Sequence, residues 1–466
     1  MEQRTAWSRG QRLLTAGLVF MVTAVAFEGL AVPTVLPATL DDLGGLALYG
    51  WAFSGYWLTN LVGITLAGLE ADRRGPLLPF VAGTVCFAIG LVVAGLAPSM
   101  EWVVAGRVVQ GLGGGAIGSI IYVAIARGYA TSSQPRMIAV ISSAWVVPGL
   151  VGPALAGYIT QEASWRWAFL GLAPLLPIAA LTVSGPLARL RVGELPEGGD
   201  SFGRVRDALQ LAVGAAALLG ALSAPSLLLA VPAAVLGALL ARGPLQRLLP
   251  AGSLTARPGR GAAVAVLALV TVSFLGVEAF VPLAVSSIRG AGPIAGGLSL
   301  TAAAVTWAAG SWLQARLAPR RSRRALAAAG LGLIMAGIAL ETLVPITALP
   351  PVQLAAAAWA VAGLGMGLTF STTTLICIET APPGGEGATS AAVQLANALG
   401  IAFGTGLAGA VVSLGATTIG LAPGIVIANL LMFVAAALAL SLVPRIPDRA
   451  PPGAPAMAAP DRGPAL

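Results

Sequence analysis

The sequence predicts an all-α polytopic membrane protein: two six-helix bundles flanking two linker helices, fourteen transmembrane helices in all. Three observations predict it. Of the 466 residues, 57% are hydrophobic and 9% charged, whereas a soluble domain carries about 25% charged residues. Apolar stretches of about 20 residues recur along the whole chain. The basic residues cluster at alternate junctions between those stretches, as a fixed topology requires.

The first bundle reads as spans at 13–38, 49–69, 77–97, 102–125, 137–160 and 167–187. Two shorter stretches follow at 208–222 and 227–242. Six more lie at 261–285, 293–315, 325–346, 352–378, 388–414 and 421–443. The spans are apolar all round and too long for barrel strands, which leaves helices. The central run 208–241 is too long for one crossing, and Ser223-Ala224-Pro225-Ser226 interrupts it with turn residues. Two crossings there, or a surface hairpin with none, keep the downstream topology; length and apolarity favour two. Residues 1–188 and 261–443 are then the bundles, with loops and the linker pair in 189–260. The Pro- and Ala-rich stretch 444–466 reads as a disordered cytoplasmic tail. The first apolar run continues past Glu28 to Ala38 without a small-residue cleavage site, so it reads as helix 1 rather than a signal peptide.

With the N-terminus inside, 23 of the 26 arginines lie in cytoplasmic segments. Only Arg166 and Arg289 fall outside, and Arg107 lies within helix 4. The positive-inside rule therefore puts both termini in the cytoplasm of a multi-pass protein of the cytoplasmic (inner) membrane. The cluster Arg320-Arg321-Ser322-Arg323-Arg324 reads as a topology anchor, not a nucleic-acid surface.

Two residue types are missing: the chain has no His and no Lys. Histidine metal sites, Ser–His–Asp triads and Schiff-base chemistry are excluded, and no enzyme activity, cofactor or metal is expected. A Gly-x-x-x-x-Gly-Lys-Ser/Thr loop is also missing, so ATP is not the energy source by that route. Any side chain that exchanges protons near neutrality is foremost a carboxyl in an apolar setting. Cys86 and Cys377 both lie in apolar stretches and read as small core residues.

The bundles resemble each other. Gly111-Leu112-Gly113-Gly114-Gly115 of helix 4 matches Gly363-Leu364-Gly365-Met366-Gly367 of helix 12, an offset of 252. Gly152-Pro153-Ala154-Leu155-Ala156-Gly157 of helix 5 matches Gly404–Gly409 of helix 13 at the same offset. Gly55-Tyr56-Trp57-Leu58 of helix 2 resembles Gly310-Ser311-Trp312-Leu313 of helix 10 at 255, and Glu28 before Pro33 resembles Glu278 before Pro282. Parallel repeats of six spans give similar halves about an axis along the membrane normal, with the substrate cavity between them. The glycines let helices approach closely.

On these motifs the chain resembles the major facilitator superfamily, and within it the fourteen-spanner drug:proton antiporters, over about residues 10–445. Gly68-Leu69-Glu70-Ala71-Asp72-Arg73-Arg74-Gly75 resembles the family's loop between helices 2 and 3, although Pro76 and Leu77 replace its usual basic pair. Arg107-Val108-Val109-Gln110-Gly111 resembles its helix 4 motif. Pro148-Gly149 and Gly152-Pro153 through Gly157 resemble the antiporter motif of helix 5, which accompanies export. Phe27-Glu28 with Pro37 resembles the fourteen-spanners' helix 1 signature, with Glu in place of Asp. The resemblance implies the major facilitator fold and proton-coupled efflux.

Glu28 inside helix 1 is the first candidate for proton coupling, because an ionised carboxylate at mid-membrane costs about 2.5–3.5 kcal/mol. Arg107 lies at a similar depth and is the expected partner. Glu278 is a second proton site or the countercharge of a cationic substrate. Glu341 reads as a rim residue, and Glu379 and Glu386 as solvated loop residues. Asp72 is expected to hold an inner gate against a neighbouring helix N-terminus, where a carboxylate gains about 0.3–1 kcal/mol, with Arg73 assisting. Tyr56, Trp57, Asn60, Gln110, Trp145, Trp307, Trp312, Gln394 and Asn397 are candidate cavity walls, since aromatic faces hold lipophilic cations.

The function expected is proton-coupled efflux of lipophilic small molecules by alternating access, with protons as the coupling ion. The expected surroundings are the lipid bilayer and no nucleic acid, and the chain is expected to act as a monomer. A dedicated exporter of one metabolite or lipid, or a receptor or assembly protein on the same scaffold, are the alternatives.

Overall fold

The computed structural model describes residues 8–130, 133–190, 201–224, 226–346, 351–382 and 386–448. Arg4, Arg191, Arg449, Arg462, Pro225 and the tail from 449 onward lie outside the described residues. Fourteen helical passes run through it, with no strand among the described residues. They are α1 (Arg9–Leu43), α2 (Tyr49–Arg74), α3 (Leu77–Gly95), α4 (Met100–Gly128), α5 (Arg136–Glu162), α6 (Arg166–Ala188), α7 (Ser201–Leu222) and α8 (Leu227–Leu248). The second half adds α9 (Arg260–Ile288), α10 (Gly292–Leu317), α11 (Arg323–Leu343), α12 (Gln353–Glu379), α13 (Glu386–Thr418) and α14 (Leu421–Leu442). Thirteen of them are long and apolar enough to cross a membrane. The other, α2, carries Ser54, Thr59, Asn60, Thr65 and Glu70, and packs along α4.

The repeat is a packing register. A Cβ on Gly111 would lie 2.1 Å from the Tyr56 carbonyl oxygen, and one on Gly115 2.1 Å from that of Asn60. In the second half, a Cβ on Gly363 would lie 2.3 Å from the Ala303 carbonyl oxygen and one on Gly367 2.2 Å from that of Trp307. Only glycine fits such backbone contact. Helix α12 thus sits on α10 as α4 sits on α2, with 252 as the α4-to-α12 offset. The α2-to-α10 offset is 247, however, so Gly310 corresponds to Gly63 and not to Gly55. The match of Gly55–Leu58 with Gly310–Leu313 is chemical coincidence two helical turns out of register.

The halves meet where α2 packs on α13 and α5 packs on α10. Gly50 approaches the Thr405 carbonyl and Gly409, and Gly157 approaches Pro293 and Ile294. The Tyr49 hydroxyl donates to the Ala279 carbonyl at 3.2 Å, and Ser54 Oγ to the Ala402 carbonyl at 2.8 Å. All these contacts lie toward the end of the bundle opposite the arginine-rich end. Linker helix α7 packs on α2 and α13, and α8 packs on α7, with Arg247 Nε and Nη2 donating to Asp207 at 2.7 and 2.6 Å.

Three spans expected to be continuous are broken, α6 among them, where the turn Gly171–Pro174 separates Arg166–Leu170 from Leu175–Ala188. Helix α5 divides at Ala144–Trp145 into Gln134–Ser143 and Val146–Glu162. Helix α9 is regular over Arg260–Glu278, turns at Ala279 and Phe280, and ends in a wide π turn at Ala284–Ile288. Pro282 has no N–H for the Glu278 carbonyl, which helps to place that break.

Candidate functional site

Glu28 and Arg107 are 1% and 2% exposed. Arg107 Nη1 donates to Glu28 Oε1 and, at 2.8 Å, to Gln110 Oε1. Its Nε donates to the Ala52 carbonyl at 2.9 Å, and its guanidinium lies 4.3 Å from the centre of the Tyr56 ring. Helices α1, α2 and α4 therefore all hold this one cation. Glu28 Oε2 and Gln110 Nε2 have no hydrogen-bond partner among the described residues. A buried pair of this kind is tolerated because attraction and added hydrogen bonds offset desolvation. Phe27, the neighbour of Glu28, packs beside Gly152 of α5, where a Cβ would lie in ordinary contact, 3.5 Å from the ring.

The second half builds its site differently. Glu278, half-buried at the break in α9, accepts a hydrogen bond from Trp359 Nε1 at 3.3 Å. Trp359 is fully buried and stacks on Phe274, with ring centres 4.8 Å apart. Trp307 meets Phe274 edge-on at 5.6 Å and Phe370 at 5.8 Å. Sequence reasoning missed Trp359, although a signal existed. The α4-to-α12 offset of 252 carries Arg107 onto Trp359, so each half presents a carboxylate to the same position, once to a guanidinium and once to an indole.

The other candidates divide. Val22, Val25, Gly114, Gly118, Tyr122, Ile141 and Trp145 line a cavity of about 190 Å³ with Gln394 of the opposite half. Trp145, at the break in α5, is 47% exposed. Trp57 packs edge-on against Tyr56 at 5.4 Å. Asn60 Nδ2 donates to the Gly111 carbonyl at 3.4 Å, and Asn397 Oδ1 accepts from Thr271 at 3.3 Å, so both amides knit helices together. Trp312 stands apart, 69% exposed, with the Arg316 guanidinium 5.1 Å from its ring centre.

Asp72 is held by a side chain of its own half. Arg127, at the end of α4, donates to Asp72 Oδ1 at 2.6 Å and to the Ala71 carbonyl at 2.9 Å, locking α2 to α4 within one half. Arg73 is exposed. Gly75 ends α2 at φ +88°, a conformation that favours glycine, and Gly68 faces Ser119. In α5, Pro148 is buried, and Gly149 faces Ala304 across the half interface. A Cβ on Gly157 would lie 2.6 Å from the Pro293 carbonyl oxygen, and one on Gly297 2.2 Å from that of Pro153. The motif residues thus join α5 both to α1, at Phe27 and Leu30, and to the opposite half. Glu341 is not a rim residue: it is 1% exposed, and neither carboxylate oxygen has a hydrogen-bond partner among the described residues.

Paired six-helix halves, a cavity between them and an acid within the span of helix 1 and of its counterpart α9 are the build of a membrane transporter. The chain matches the profile of the Major Facilitator Superfamily over residues 14–405 and belongs to that family. It is 29% identical over 424 residues to a "Probable multidrug-efflux transporter" of Mycobacterium tuberculosis (strain ATCC 25618 / H37Rv), covering 87% of this chain and 88% of that one. It is 27% identical over 172 residues to a multidrug transporter of Bacillus subtilis (strain 168), covering 37% of this chain and 32% of that one. Among solved structures, a bacterial homologue of the human lysosomal transporter Spinster, inward-facing and unoccupied, superposes with a TM-score of 0.68 at 15% identity, over 94% of this chain and 98% of that one.

Proposed function

We propose that the protein exports lipophilic small molecules in exchange for protons, by alternating access, acting as a monomer in the cytoplasmic membrane with its arginine-rich end in the cytoplasm. The observation that carries the proposal is the buried Glu28–Arg107 pair, whose second carboxylate oxygen has no hydrogen-bond partner among the described residues. A proton arriving on that oxygen neutralises Glu28 and weakens its hold on Arg107. The guanidinium then keeps Gln110 and the Ala52 carbonyl, and α1 is freed to move against α4. Because Phe27 lies on Gly152, that movement reaches α5 and, through Gly157, the contact with α10. Among the described residues Glu278 has no cationic partner, and it serves the substrate. The multidrug-efflux relative supports lipophilic compounds as cargo.

A single proton moving down 100 mV supplies about 2.3 kcal/mol, enough for roughly a fiftyfold concentration ratio of a neutral substrate. The test is proton flux from liposomes carrying the purified protein, during addition of a panel of lipophilic drugs, with wild type against Glu28→Gln. Drug-driven proton movement that Glu28→Gln loses is the expected result. Movement that survives the substitution would transfer coupling to Glu278. No movement with any drug, in folded protein, would overturn proton-coupled drug export.

A further inference from the structure

The register of 247 that relates α2 to α10 shows that the two helices are covered differently. On α2, Leu58, Leu61 and Val62 are buried in one cluster with Leu211, Ala215 and Leu219 of linker helix α7. Their counterparts on α10 are Val305, Ala308 and Ala309, and all three are exposed. The chain has one linker pair and covers one half with it. On α10 the two alanines leave a recess of about 470 Å³, bounded by Ala308, Ala309, Trp312, Leu313 and Arg316. Residues 305, 309, 312 and 316 recur every three or four positions, so the recess follows one face of α10 toward its arginine-rich end.

The same register separates the charges. Helix α2 ends in Leu69-Glu70-Ala71-Asp72-Arg73-Arg74, where Arg74 pairs with Glu70 at 3.0 Å and Asp72 with Arg127. The counterpart is Arg316-Leu317-Ala318-Pro319-Arg320-Arg321. Two arginines are kept, both acids are gone and a third arginine is added. Arg316, Arg320 and Arg321 are exposed, and none has an ion-pair partner among the described residues. The backbone N–H groups of Arg320 and Arg321 both donate to the Leu317 carbonyl, at 2.9 and 2.8 Å, so the chain keeps turning past the end of α10. There Ala318, Arg320, Arg321, Ser322, Arg323 and Asp448 border a second cavity, of about 420 Å³. Its acid is engaged: Asp448 accepts from Ser322 Oγ and from the Arg324 backbone N–H at the start of α11. Arg323 is engaged as well, paired with Glu379. Arg320 and Arg321 remain uncommitted, within about one turn of a recess that ends in a third free guanidinium.

We propose that this corner of the second half binds a phospholipid with a net negative headgroup, one acyl chain lying in the α10 recess and the phosphate on Arg316, Arg320 and Arg321. Guanidinium groups match phosphate oxygens in pairs, and arginines just beyond a membrane span attract anionic lipid. A free phosphate would satisfy the arginines and leave the apolar recess empty. A zwitterionic lipid would bring an ammonium group up to the same cations, which repel it. Trp312 stands between recess and arginines, at the level where indoles meet headgroups. The lipid thus takes on α10 the place that α7 takes on α2, and the site is independent of cargo and proton.

The probe is phosphatidylglycerol with a photoactivatable diazirine in one acyl chain, at a fixed low fraction in phosphatidylcholine nanodiscs, with adducts mapped by mass spectrometry. Expected are adducts on residues 305–316 that fall at least tenfold when unlabelled phosphatidylglycerol replaces part of the phosphatidylcholine. Adducts at Leu228, Leu236 and Leu239 of α8 should not change. Arg320→Gln with Arg321→Gln, both at exposed positions, should lower the displaceable labelling at least fivefold, while Arg73→Gln with Arg74→Gln at the counterpart leaves it intact. Ala309→Trp, which fills the recess, should remove it, and Ala309→Ser retain it. Labelling on 305–316 that unlabelled phosphatidylglycerol does not displace is ordinary lipid contact and would overturn the proposal. Displacement by inorganic phosphate alone would mean an anion site without an acyl chain and would overturn it too. Unchanged labelling in the folded Arg320/Arg321 double variant, or equal displacement at α8, would do the same.

Discussion

Two carboxylates face one repeated position, and the partner at that position makes the sites different. Glu28 meets Arg107, a cation held by three acceptors from α1, α2 and α4 and covered by Tyr56. Glu278 meets Trp359, a neutral donor set in an aromatic cluster with Phe274, Trp307 and Phe370. The first site is charge-balanced and sealed; the second is half-buried and carries an acid without a base. One scaffold therefore provides a closed ion pair in one half and an acid flanked by rings in the other, which the proposed function assigns to the proton and to the cargo. The difference teaches that the repeat conserves backbone contact while the side chain at one register position sets each half's chemistry.

The sharpest way to break the comparison is Arg107→Ala. It leaves Glu28 buried without its cation, and removing one partner of a buried pair costs about 3–5 kcal/mol. A loss of that size in reversible unfolding, together with loss of drug-driven proton flux, is expected. Unchanged stability would mean that Glu28 is held neutral without Arg107, and the contrast between the halves would collapse. A second, smaller effect tests the link from α5 to the opposite half. Gly157→Val drives side-chain atoms into the Pro293 carbonyl, and such overpacking costs about 1–3 kcal/mol. It should slow transport of every substrate alike, read as a lower maximal rate at unchanged half-saturation. A change confined to one substrate would remove α5 from the general gating path.

Much of the fold was legible in the sequence and less of the site. Apolar runs and arginine placement carry the spans, and two matches at 252 carry the repeat, because glycine in backbone contact leaves a mark that composition cannot imitate. The helix 2 match at 255 misled for the converse reason: Gly-x-Trp-Leu recurs without being in contact register, and only packing reveals 247. The break in α9 has a local mark in Pro282, while the Tyr49 hydroxyl that meets the Ala279 carbonyl there from the other half is a contact no local pattern encodes. Trp359 was within reach, since the offset that relates the glycines also relates it to Arg107, although an aromatic residue among alanines carries no signal of its own. Glu341 misled because an acid near a helix end normally meets water, whereas here α11 packs that end against its neighbours.

Glu341 extends the comparison to a buried acid whose carboxylate has no hydrogen-bond partner among the described residues. Replacing a buried, unsatisfied polar group by an apolar one of similar shape removes a desolvation penalty of about 1–3 kcal/mol. Glu341→Met is therefore expected to raise the unfolding temperature and to leave drug-driven proton flux in place. Loss of flux with stability intact would make Glu341 a third functional acid, and the two-site contrast would be incomplete.

The smallest effect sharpens the contrast most finely. Trp359→Phe keeps a ring to stack on Phe274 and removes only the N–H that Glu278 accepts. A hydrogen bond to a charged group is worth about 1.5–3 kcal/mol when well formed, and at 3.3 Å the loss should fall at or below the lower end of that range. Stability should barely move. Glu278 would then be free of its one fixed donor and better able to face a cationic cargo, so half-saturation for permanently charged substrates reaching the cavity from water should fall severalfold while that for neutral ones stays put. If both shift together, the indole shapes the cavity and does not restrain the acid. If neither shifts, Glu278 does not meet the cargo, and the division of labour between the halves has to be drawn at other residues.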